Sequence, residues 1–141
     1  MSWMRRAAVA AIGIGLVWAA ESTEKFHTRL APVPMDATMR ATVAGMGTAT
    51  ATLSGNKLSI NGSFEGLLSP ATTAQLHASR VAGVRGPAVF DLTVEHATRG
   101  TVSGSVDLSA DQVEALKKGH LYIQIQSEKA PDGNLWGWLM H

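Results

Sequence analysis

The sequence has no cysteine. Disulfide staples, thiolate metal sites and thiol nucleophiles are therefore excluded, and any fold must be held by its core alone. Charge of neither sign dominates: 12 Lys and Arg stand against 11 Asp and Glu, for a formal net charge of +1. Two of the basic residues, Arg5 and Arg6, fall in the N-terminal segment, which leaves the remainder of the chain near −1. No basic block remains to neutralise a phosphate backbone, which argues against nucleic-acid binding. The longest uncharged apolar run, Ala7 to Ala20, is shorter than the roughly 20 residues that a membrane-spanning helix needs. No Gly-x-Ser-x-Gly elbow occurs, and Gly45-Met46-Gly47 precedes a strand rather than a helix, so it is no phosphate loop.

What is present is a chain of 141 residues with 45% apolar residues and 14 glycines. That is one globular domain with many turns, the composition of an all-β fold. The N-terminus is patterned for export. Arg5-Arg6 supplies a positive start, Ala7 to Ala20 an apolar stretch, and Val17-Trp18-Ala19 small residues at the −3 and −1 positions. The expected organisation is a signal segment over residues 1–19, cleaved after Ala19 or retained as an anchor, followed by one domain over 20–141. The expected location is the periplasm or outside the cell.

Alternating segments run through the rest. Strands are expected over 26–30, 48–53, 57–67, 73–79, 87–94, 101–107, 121–126 and 135–140. Gly55-Asn56 separates the second and third as a two-residue hairpin turn. Residues 35–43 read as loop. The segment Ser127 to Gly133 reads as a charged hairpin loop, with Pro131, Asp132 and Gly133 supplying the turn. One helix interrupts the pattern near 110–118. Ser109 is its N-cap, Gln112 completes a capping box, and Gly119 stands at the C′ position.

The carboxy-terminal third carries Leu116-Lys117-Lys118-Gly119-His120-Leu121-Tyr122, then Pro131-Asp132-Gly133-Asn134-Leu135-Trp136-Gly137-Trp138-Leu139. Together with Phe26-His27-Thr28-Arg29-Leu30, Val33-Pro34, Ala74-Gln75-Leu76-His77 and Gly86-Pro87-Ala88-Val89-Phe90, this resembles the chordin-repeat (CHRD) domain over about residues 24–141. The resemblance implies an antiparallel, Greek-key-like β-sandwich of the immunoglobulin or superoxide-dismutase kind. It implies an exported binding module and says little about activity, since a fold does not carry a function. Two positions depart from the family pattern. Its His-x-His pair is Gln75 and His77 here, and its later His-Thr is Gln126-Ser127. A carboxamide ligates transition metals poorly, so a family histidine site, if one exists, is expected to be lost.

Trp136 and Trp138 lie two residues apart, so they share a strand face with Asn134 and Met140, while Leu135, Gly137 and Leu139 share the other. The resemblance places Arg and Gln where these tryptophans stand, which implies an outward face. An exposed strip of two indoles and a Met calls for a partner. The expected partner-binding set is Trp136, Trp138 and Met140, with Tyr122, Gln124 and Gln126 of the preceding strand as its rim. The alternative within this reading is a tail or an N-terminal segment folded over the rings.

Three functional readings follow. The first is a non-catalytic interaction subunit docking on a larger exported or membrane-bound protein, for example as an accessory subunit of a periplasmic oxidoreductase complex. The second is a small-ligand or metal-binding module lined by His77, Gln75 and Gln126. The third, a dismutase-like enzyme, is disfavoured because none of the five histidines pairs with another at a ligand spacing. No catalytic residue, resident metal or cofactor is expected.

Overall fold

The structure, a computed structural model, describes residues 23–34 and 36–141. The expected signal segment lies outside the described residues. Among those described, eight strands form a closed antiparallel barrel: β1 (Thr23–Pro32), β2 (Met46–Ser54), β3 (Lys57–Glu65), β4 (Ala71–Ala78), β5 (Ala88–Val94), β6 (Gly100–Asp107), β7 (Leu121–Ser127) and β8 (Ala130–Trp138). Their order around the barrel is β1-β2-β3-β6-β5-β4-β7-β8. The hairpin-linked β4, β5 and β6 lie beside β3 on one side and β7 on the other, which gives the Greek-key path.

The expected Greek-key-like sandwich is corrected to a closed barrel. Two seams close it. At one, Thr93 and Val94 of β5 pair with Ser103 and Val102 of β6. At the other, β1 leaves β2 after Leu30 and pairs Ala31 and Pro32 with Trp136 and Leu135 of β8. Gly137 permits that second approach: a Cβ there would lie 2.5 Å from Thr28 Oγ1 and 2.9 Å from the Arg29 carbonyl. Sequence alternation reports which face of each strand is buried but not whether two edges meet, so sandwich and barrel have the same pattern.

The alternation builds the core directly. Phe26 and Leu30 of β1, Leu58, Ile60 and Phe64 of β3, Leu76 of β4, Ile123 and Ile125 of β7, and Leu135 of β8 are buried inside. The β2–β3 turn is Gly55-Asn56, as expected. Gly55 has φ +65° and, among the described residues, no non-glycine residue takes positive φ, which fits a turn with glycine at its first central position. Helix α1 (Ala110–Lys117) carries the full capping box: Ser109 Oγ accepts from Gln112 N, and Gln112 Oε1 accepts from Ser109 N. Its Leu116 is fully buried in the same core, so the helix closes one end of the barrel.

Two further segments differ from expectation. Residues 127–133 are not a long loop. The turn is Glu128-Lys129 alone, and Pro131, Asp132 and Gly133 belong to β8, where the β7–β8 register shifts in a bulge. The stretch between β1 and β2 holds a short 3-10 turn (Ala37–Met39) capped by Asp36, whose side chain accepts from Thr38 N. Among the described residues, no helix is long and apolar enough to cross a membrane.

Candidate functional site

The register of β4, β7 and β8 sets the outward residues in cross-strand rows. His77 stands opposite Tyr122, which stands opposite Trp138; in the next row Gln75, Gln124 and Trp136 are aligned. All six lie on the outer surface of the barrel, because their neighbours Leu76, Ile123, Ile125 and Leu135 fill its interior. Outward does not mean exposed, however. Trp136 and Trp138 are half-buried, and Tyr122, Gln124 and His77 are buried.

Two covers account for this. The first is the β4–β5 connection, residues 79–87. The Tyr122 hydroxyl donates to the Gly86 carbonyl and accepts from the Gly86 N–H, each at 3.0 Å. His77 Nδ1 lies 2.9 Å from the same carbonyl. A carbonyl can only accept, so Nδ1 carries the ring proton. Arg85 Nη1 donates to Gln124 Oε1 at 3.3 Å and to the Asp132 carbonyl at 3.2 Å, and its guanidinium carbon lies 5.9 Å from the Trp136 ring. The second cover is the β1–β2 connection. Val33, Val43, Met39 and Ala130 pack with Trp136. Buried Asn134 fastens this segment: its Nδ2 donates to the Ala44 carbonyl, its Oδ1 accepts from Ser127 Oγ, and its own carbonyl accepts from Val33 N.

The aromatic rings under and between these covers form one contiguous group. His77 stacks on Tyr122 at 4.7 Å between centroids; Tyr122 meets Trp138 at 4.5 Å and Trp136 at 5.4 Å; the two indoles meet edge-on at 5.5 Å. Edge-on and tilted arrangements at these separations are the favourable ones for aromatic pairs. His77 Nε2 and Trp138 Nε1 are buried with no hydrogen-bond partner.

The partner-binding set expected from sequence is thus brought together only in part. Trp136 and Trp138 lie side by side and half-exposed, and Met140, 53% exposed, continues past Trp138 at the end of β8, where its backbone pairs with His27. Tyr122 and Gln124 are not a solvated rim but the buried base on which the indoles rest. Gln126 is half-buried and turned toward β4: its Nε2 donates to Gln75 Oε1, its Oε1 accepts from Thr73 Oγ1, and Gln75 Nε2 donates to Asp91 Oδ1. The expected tail or N-terminal cover is also only partial, since Val33, Met39 and Val43 pack with Trp136.

The alternative ligand set, His77, Gln75 and Gln126, does share one sheet face. Its amides are engaged with each other and its one free imidazole nitrogen is enclosed. Among the described residues, no group of three or more His, Asp or Glu could hold a metal ion. Sequence reading missed Arg85, Gly86 and Asn134, which hold the covers. Their long-range partners leave no local mark in the sequence.

A family model described as the CHRD domain matches residues 20–139, and the chain belongs to that family. Nothing matches the chain among curated proteins, and nothing among solved structures.

Proposed function

We propose that this CHRD-domain protein is a non-catalytic exported interaction module, an accessory subunit that docks on a larger periplasmic or membrane-bound protein. The observation that supports it is the pair of half-exposed, mutually packed indoles, Trp136 and Trp138, on the outer face of β8, with exposed Met140 two residues past the strand's end. Rings already ordered by Tyr122 lose little freedom on contact, and preorganised tryptophans are the side chains that dominate interface energies. Arg85, exposed at one edge, adds a planar donor beside Trp136. The docking patch is smaller than the six residues expected from sequence: Trp136, Trp138, Met140 and Arg85 form it, and Tyr122 and Gln124 support it from beneath.

The test is capture from an envelope extract with the immobilised mature chain, repeated with Met140→Lys and Trp138→Ala. The reading expects one species that both variants lose and that Thr50→Val, on the opposite face, retains. Capture indifferent to both variants removes this face as the docking surface.

A further inference from the structure

The barrel's other outer face, carried by β1, β2, β3 and β6, takes no part in the reading above. A hollow of about 640 Å³ lies on it, and a second of about 470 Å³ adjoins, the two sharing Thr48, Ser63 and Thr101. Register makes this face a lattice of hydrogen-bonding groups. Arg29, Thr48, Ser63 and Thr101 form one cross-strand row. The next row places Thr50, Asn61 and Ser103 beside His27.

Charge is distributed at the borders. Lys25, His27 and Arg29 alternate outward along β1, and Arg99 stands at the far lip. Among the described residues, none of Lys25, Arg29 or Arg99 forms an ion pair; the pairs present are Lys57–Asp107, Lys117–Glu24 and His141–Glu24. Glu65 is the one carboxylate lining the hollow. Glu95, exposed beside Thr101, has its carboxylate engaged there, accepting from Thr101 N at 2.7 Å and Thr101 Oγ1 at 2.9 Å.

We propose that this trough binds an acidic oligosaccharide, a linear polyhydroxy chain bearing carboxylates. The hydroxyls of Thr48, Thr50, Ser63 and Ser103 and the amide of Asn61 can each donate and accept, and Thr101 Oγ1, which donates to Glu95, can still accept; these groups suit sugar hydroxyls. The unpaired guanidiniums of Arg29 and Arg99 suit the carboxylates, which they can engage in charge-assisted, bidentate fashion. Among the described residues, no Phe, Tyr or Trp is exposed on the floor to stack a nucleobase, so single-stranded nucleic acid is a poorer fit. The inference is independent of the Trp face.

The experiment is calorimetric titration of the mature chain with a tetragalacturonate at low ionic strength, beside a neutral glucan tetrasaccharide and inorganic phosphate. The proposal expects saturable binding of the uronate alone, weakened by added salt. Arg29→Gln and Arg99→Gln should each lower affinity about tenfold, in line with loss of a charge-assisted hydrogen bond. Both residues are exposed, so melting temperature should stay unchanged. Trp138→Ala should leave uronate affinity unchanged. The proposal is overturned by absence of saturable uronate binding, by equal binding of the neutral glucan or of phosphate, or by arginine variants that bind as tightly as the parent.

Discussion

Replacing Tyr122 with Phe probes the cover over the aromatic group without altering its packing. The ring would still stack on His77 and meet both indoles, at 4.7, 4.5 and 5.4 Å. Only the hydroxyl is lost, and with it two hydrogen bonds to Gly86 of 3.0 Å each. The Gly86 carbonyl keeps His77 as donor, so the Gly86 N–H is the group left without a partner. A net hydrogen bond contributes about 0.5–1.5 kcal/mol, so the pair should contribute about 1–3 kcal/mol. For a domain of this size that is a fall in melting temperature of roughly 3–10 °C. The loss should be local first. Amide exchange of residues 81–86 should accelerate more than that of β7 or β8, because the connection is held from the barrel side chiefly by Gly86 and Arg85. The assay is calorimetry with residue-resolved hydrogen exchange. An unchanged melting temperature together with unchanged exchange at 81–86 would refute the latch.

Gly137→Ala should destabilise by about 1–3 kcal/mol, because the added methyl meets the Arg29 backbone and must push β1 off β8; urea denaturation reads it, and a neutral result would mean that the seam is loose. Ser109→Ala removes half of the capping box and should lower stability by about 1 kcal/mol, measured the same way. Glu24 is held below the ordinary glutamate value, chiefly by its hydrogen bond from His141 at 3.0 Å and then by Lys117. A depressed carboxylate contributes stability above its unfolded pKa and loses it as pH falls through its folded pKa. The melting-temperature advantage of the parent over Glu24→Gln should therefore shrink on acidification below the usual glutamate range; an advantage constant with pH would contradict the assignment.

The physics of alternation made most of the barrel legible. Phe26, Leu58, Ile60, Ile123 and Ile125 each alternate with polar or amphipathic neighbours at period two, which marks them as inside, and Ser109, Gln112 and Gly119 marked the helix by local chemistry. What sequence did not disclose is what local chemistry does not encode. Closure depends on Gly137 meeting Thr28, residues more than a hundred positions apart. Pro131-Asp132-Gly133 has the composition of a turn, yet the chain turns at Glu128-Lys129 and absorbs these three in a bulge. The outward assignment of Trp136 and Trp138 follows from period two and agrees with the register. Their half-burial left no local mark, because Arg85 and Val43 reach Trp136, and Tyr122 meets Trp138, through tertiary contacts alone. For the same reason Trp138→Ala should carry some loss of stability: its ring lies 4.5 Å from that of buried Tyr122.

The affinity of the captured partner for the parent and for Trp138→Ala, with melting curves recorded alongside, puts the docking surface to its plainest trial. A central interface tryptophan typically contributes 2 kcal/mol or more, so the dissociation constant should rise by about 30-fold or more. The melting curve should show a folded protein, and Met140→Lys should weaken binding with no change in melting temperature. A dissociation constant that is the same in all three proteins would contradict the account.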